Sequence, residues 1–211
     1  MWYNTGSSHL TSSQFLESPF VMIILPNNCN LSIEQVLLED QVTIMLRSTS
    51  LTADCPNCQT PARRLHSHYH RKPSDLPVSG HQVRLIIEVR RFFCDKATCP
   101  RKTFAQQMPS LLGPHAQRTT RLQETLQRLG LALGGEAGAR LATELGMQAH
   151  PDSLLRLVRQ ATPPQREPAK IIGIDDWALK RRLRYGTLIC DLEAGVPVDV
   201  LPDRDVTTVT G

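Results

Sequence analysis

Aromatic side chains are scarce in this chain. Only 5% of its 211 residues are Phe, Trp or Tyr. Hydrophobic residues still make up 40%, so a core is within reach, but Leu, Ile and Val must build it. No apolar run approaches the roughly 20 residues that a membrane helix needs. "FVMIIL", residues 20–25, is far too short, and it lacks the basic flank and small-residue cleavage site of a secretory signal. Six cysteines are too sparse for a secreted disulfide scaffold. These absences point to a soluble cytoplasmic protein with no membrane partner. The length admits one large domain or two to three small ones.

The formal net charge of +4 averages unlike regions. Residues 1–54 carry 1 Lys/Arg against 5 Asp/Glu, net −4. Residues 55–128 carry 13 against 4, net +9, and residues 129–211 carry 10 against 11, net −1. A strongly basic middle suits a polyanionic partner, most simply nucleic acid; the plain alternative is a solvated basic surface.

Texture changes along the chain suggest an α+β multidomain protein. Residues 1–19 are rich in Ser, Thr and small polar residues and read as a disordered leader. Residues 20–113 read as β-rich: "VTIMLRSTS" and "HQVRLIIEVRRFF" (81–93) have strand character. Residues 114–160 turn helical, with apolar spacing over 118–133, 136–146 and 152–160. "ATPPQREPAK", residues 161–170, carries three prolines and reads as a linker. Strand texture returns over 171–211 in "IIGID", "YGTLICDL" and "VPVDVL".

Cys55 and Cys58 stand in "CPNC", and Cys94 and Cys99 in "CDKATC". Two close pairs of thiolates match a tetrahedral zinc site. Four thiolates leave no open position, so such a metal is structural. It would supply folding free energy to an aromatic-poor module. Four unconnected core cysteines, or a redox pair, are the other readings. "LHSHYH" adds His66, His68 and His70, which could join a metal or face phosphate. Cys29 and Cys190 are isolated and read as small buried hydrophobes. Around the knuckles stand Arg63, Arg64, Arg71, Lys72, Arg90, Arg91, Arg101 and Lys102. Arginines on a metal-pinned scaffold form a good phosphate-contacting surface. Phe92, Phe93 and Phe104 read as core.

In "EAGARLATELGMQAHPDSLLRLVRQ", Gly146 is placed to end one helix and Pro151 to open the next. Small Ala residues would allow close approach. The pattern suits a helix-turn-helix whose second helix offers Asp152, Ser153, Arg156 and Arg159 to the major groove. An ordinary αα-hairpin is the alternative. Residues 118–133 would complete a three-helix unit.

Taken in order, "CPNC", "HSHYHRKPSDLP", "VRRFFCDKATCPRKTF", "GEAGARLATELG", "DSLLRLVR" and "GIDDWALKRRLRYGTLICDLE" resemble the ISL-three insertion-sequence transposases of bacteria. The likeness covers roughly residues 20–205. It implies a zinc-binding β-ribbon module, a helix-turn-helix and the start of an RNase H-like catalytic domain of the DDE type. In that family the first catalytic carboxylate follows the first core strand, which here is Asp175. Strand transfer at phosphate uses divalent ions, and magnesium wants several hard oxygens. The resemblance therefore implies magnesium in the full-length family. The second and third carboxylates have no counterpart in this sequence, so the expectation is a truncated, catalytically incomplete fragment. Asp191 is a weaker candidate for metal proximity, while Asp203 and Asp205 read as turn residues.

The implied partner is double-stranded DNA at element terminal repeats. A homo-oligomer, or pairing with a full-length transposase, is also implied, as is association with the bacterial nucleoid. Two other readings are a free-standing zinc-containing transcriptional regulator or interaction protein, and an intact nuclease working as an oligomer.

Overall fold

The computed structural model describes residues 30–162, 167–180, 184–203 and 205. The leader at 1–19, Cys29 and the middle of the linker therefore lie outside the described residues. The chain divides into two compact units between Ala161 and Thr162.

The first unit is built on β7 (His81–Phe93). Its alternation puts Val83, Leu85, Ile87 and Val89 into the core, while Arg84, Glu88 and Arg90 take the other face. β1 (Leu31–Leu38) pairs antiparallel with β2 (Val42–Ser48), and β2 runs parallel to β7. On the far side β5 (Leu65–Arg71) and β6 (Ser74–Val78) pair antiparallel with β7. Ser79 and Gly80, at φ 50 and 81, join β6 to β7. Two positive φ values in a two-residue loop make a hairpin turn that matches strand twist. β8 (Thr103–Ala105) pairs with the end of β7, and β3 (Ala53–Asp54) with β4 (Pro61–Ala62). One face of the sheet packs Ile33, Ile44 and Leu46 with Met108, Leu111 and Leu112.

Helix α1 (Thr120–Glu144) is capped by Thr119, whose side chain accepts from the Leu122 amide. Gly134 breaks its helical geometry at φ 77, ψ −172, matching the gap left between two helical patterns in the sequence. Gly146, at φ 81, ends it, with the Met147 amide bonded to the Ala142 carbonyl at 2.8 Å. That is the left-handed closure a C′ glycine permits. α2 (Pro151–Arg159) opens on Pro151, with His150 as the cap. Leu154 and Leu157 pack on Leu122, Leu126 and Ala142. The approach is close because of glycine: a Cβ on Gly138 would stand 2.8 Å from Leu154 Cδ2.

Helices and sheet belong to the same unit, and the boundary expected between 113 and 114 falls inside it. A buried carboxylate ties them. Asp75, on β6 and 3% exposed, accepts from the Thr119 hydroxyl at 2.6 Å and from Arg121 Nε at 2.8 Å. Arg121 Nη2 completes a two-pronged ion pair.

The second unit is an antiparallel sheet in the order β11-β10-β9, formed by β9 (Ile172–Lys180), β10 (Arg184–Asp191) and β11 (Val196–Leu201). The strand does not end at the two carboxylates. Asp175 pairs with Leu188 and Asp176 with Thr187, and β9 continues through Trp177 opposite Gly186. β10 supplies the partners beyond the acidic pair, with Tyr185 opposite Ala178.

Candidate metal centre

The two knuckles bring their four sulfurs within 4.8 Å of one another. Cys55 and Cys99 lie 4.0 Å apart, and Cys58 and Cys94 lie 3.6 Å apart. A tetrahedron with Zn–S bonds of about 2.3 Å has sulfur–sulfur edges of about 3.8 Å. The spacing therefore fits zinc held by Cys55, Cys58, Cys94 and Cys99, with no fifth position for substrate. Among the described residues this is the one such gathering of three or more Cys, His, Asp or Glu ligand atoms. His66, His68 and His70 do not join it.

Backbone bonds shape each knuckle. The Cys55 amide donates to the Thr60 carbonyl at 3.0 Å and the Gln59 amide to the Cys55 carbonyl at 2.8 Å. Across the gap, the Cys94 amide donates to Lys102 and the Cys99 amide to Lys96. Cys55 and Cys99 are buried with Ala62, Phe92 and Phe104, whose rings stack with centroids 6.1 Å apart. The sulfurs are not equivalent. Hydrogen bonds from the Thr60 hydroxyl and amide favour the Cys58 thiolate and lower its pKa from 9.0 to about 6. At Cys94 the Lys96 amide favours the thiolate, but burial and the neighbouring sulfurs outweigh it and push the pKa up to about 12. A cation is what lets all four ionise together.

The basic residues around this centre fall into two groups. Several are committed to the protein itself. Arg90 Nη1 donates to the Ser50 carbonyl at 2.7 Å, and Arg71 Nη2 to Gly113 and Ala116 at 3.1 and 2.8 Å. Arg91 Nη2 reaches Thr103 Oγ1 at 3.2 Å, and Lys102 Nζ the Cys99 carbonyl at 3.4 Å. Arg64 pairs with Asp95 and lies 4.2 Å from the centroid of the Phe93 ring, which is half-buried. The others are open: Arg63, Lys72 and Arg101 are exposed.

On α2, Arg156 and Arg159 are exposed and Ser153 is half-buried. Arg118 stands near Arg156. Burial, and then the Arg156 charge, lower its pKa. In the sequence, only its place just before the Thr119 cap marks Arg118. Asp75 and Arg121 are 46 residues apart, and no local pattern marks them as partners.

Asp175 is exposed and its Oδ1 accepts from the Asp176 amide at 2.7 Å. Neighbours in a strand face opposite sides of the sheet, so the two carboxylates do not converge. Asp191 uses Oδ1 to accept from the Glu193 and Ala194 amides at 2.9 and 3.0 Å, which makes it a turn residue. Asp203 Oδ1 likewise accepts from the Asp205 amide at 3.1 Å.

Residues 52–99 match the family model described as the zinc-finger of transposase IS204/IS1001/IS1096/IS1165. The chain is similar to the transposase for insertion sequence element IS1001 of Bordetella parapertussis, with 28% identity over 153 residues. That alignment takes in 71% of this chain but only 36% of the relative's length. No solved structure matches. Among the described residues no helix is long and apolar enough to cross a membrane.

Proposed function

We propose that this chain is the DNA-recognition portion of a bacterial insertion-sequence transposase. The observation that carries the proposal is the four-cysteine centre, which lies within residues 52–99, the stretch similar to a transposase zinc finger. Zinc is structural in this reading. It pins a β-ribbon module whose open cations, Arg63, Lys72 and Arg101, face solvent. The helices after it act as a helix-turn-helix, with α2 as the recognition helix. Two features support that role. The Gly134 break divides α1 into two pieces, which with α2 make three, and Arg156 and Arg159 leave the exposed side of α2 cationic, with Arg118 near Arg156. The partner is double-stranded DNA at element terminal repeats, reached in the bacterial cytoplasm.

The second unit, on this reading, opens an RNase H-like catalytic domain, and Asp175 is the carboxylate it contributes. Magnesium there would stabilise charge on a reacting phosphate, and its further ligands would come from outside the described residues. Pairing with a second transposase chain, another copy or a longer relative, belongs to the same reading.

The test is binding to a duplex carrying a terminal repeat of the flanking element, against a scrambled duplex, across a salt series. Zinc-dependent preference for the repeat is the expected result. Equal, weak binding to both duplexes, indifferent to zinc, overturns the proposal.

A further inference from the structure

One open cleft on the first unit is lined by no carboxylate at all. It has a volume of about 830 Å³ and lies between β5, β8 and residues 114–117. Its cations come from separate parts of the sequence: Arg71 and Lys72 at the end of β5, Arg91 on β7, and Arg101 just before β8. His68, His70 and His115 also line it, together with Tyr69, whose ring is on an exposed residue.

The cations divide the work. Arg71 is spent on the Gly113 and Ala116 carbonyls, which holds the 114–117 wall in place. Arg91 ties β7 to β8 through Thr103. These two fix the shape of the cleft. Lys72 and Arg101 are exposed, and among the described residues neither has a carboxylate partner. They are left for a ligand. His115 sits in the left-handed region at φ 55. That backbone suits a turn, and His adopts it more readily than most residues.

We propose that this cleft seats one phosphodiester strand of a nucleic acid, with Lys72 and Arg101 as its phosphate contacts and Tyr69 as a surface for a sugar or base. The inference rests on the reading that the chain binds DNA, and it adds where the backbone lies. Cations interleaved with rings suit a strand that carries both phosphates and flat bases. An acidic peptide would use the cations but not the rings.

The experiment compares the zinc-loaded full chain with a Lys72→Gln/Arg101→Gln variant on a duplex and on a single strand of equal length. Both substitutions are at exposed positions, and zinc content with circular dichroism verifies folding. The logarithm of affinity is plotted against the logarithm of salt concentration. Each phosphate contact contributes about 0.9 to the slope on duplex and about 0.7 on single strand. Loss of two contacts should make the slope shallower by about 1.8 on a duplex or about 1.4 on a single strand. The arm that shows the loss identifies the kind of strand bound. Unchanged slopes in both arms overturn the proposal. So does an equal loss in an Arg47→Gln/Lys170→Gln control, or displacement by polyglutamate as effective as by DNA. If wild type ignores the terminal repeat but the variant loses slope, repeat recognition falls and the cleft stands. If wild type prefers the repeat and the variant keeps its slope, the cleft alone falls.

Discussion

Cys55 and Cys58 belong to a knuckle that turns back on itself, whereas Asp175 and Asp176 are neighbours in a strand that runs straight through them. The first pair meets a second pair from about 40 residues away (36 and 44 residues separate the contacting sulfurs) and closes a centre. The aspartates meet no comparable group among the described residues. Donors of like chemistry converge when the backbone curls or when they come from distant segments. Adjacency in a strand separates them, because successive side chains leave by opposite faces. The same contrast runs through the two units. The first buries three apolar clusters. The second leaves Ile172, Ile174, Trp177 and Val200 exposed, carried on both sides of its sheet.

The first unit depends most on its cysteines. Cys55→Ser, or strong chelation, should cost up to about 10 kcal/mol, the scale of structural zinc binding, and should unfold the knuckles, as read by circular dichroism and zinc stoichiometry. A variant that keeps wild-type stability and full zinc would contradict the centre. Acidity should act next. Between the Cys58 pKa of about 6 and the Cys94 pKa of about 12, zinc must displace protons. Affinity for zinc should therefore climb with pH through that window and fall as pH drops toward 6. Competition with a chromophoric chelator at stepped pH measures this, and a flat profile would oppose it.

Smaller effects sharpen the contrast. Asp75→Ala strips a buried ion pair of its acceptor and should cost about 3 kcal/mol, seen as a lower urea midpoint. Gly138→Val drives a side chain toward Leu154 and the Leu129 carbonyl. It should cost about 2 kcal/mol by overpacking, while Gly134→Ala meets no neighbour within 4 Å and is strained only by its φ of 77. Asp175→Asn should change stability by no more than about 0.5 kcal/mol, as for an exposed site, and should leave zinc content untouched.

The parts legible in the sequence share a local cause. The cysteine pairs announce themselves by spacing, β7 by alternation over 81–93, and the α1–α2 turn by Gly146 and Pro151. What stayed hidden depends on direction or distance. A basic residue does not declare whether it points outward like Lys72 or inward like Arg90 toward the Ser50 carbonyl. Nothing near Asp75 names Arg121 as its partner. β9 continues past Asp176 because β10 offers Gly186 and Tyr185 opposite Trp177 and Ala178, a fact of pairing rather than of composition.

β7 has a further consequence. It pairs with β2, β5, β6 and β8. Its first half fills the large sheet core and its Phe92 fills the cluster around the cysteines. The strand is therefore common property of two cores, and anyone trimming the protein to a minimal fragment has nowhere to cut between them. Its central amides should be among the slowest in the molecule to exchange with solvent, and losing zinc at one end should quicken exchange at the other.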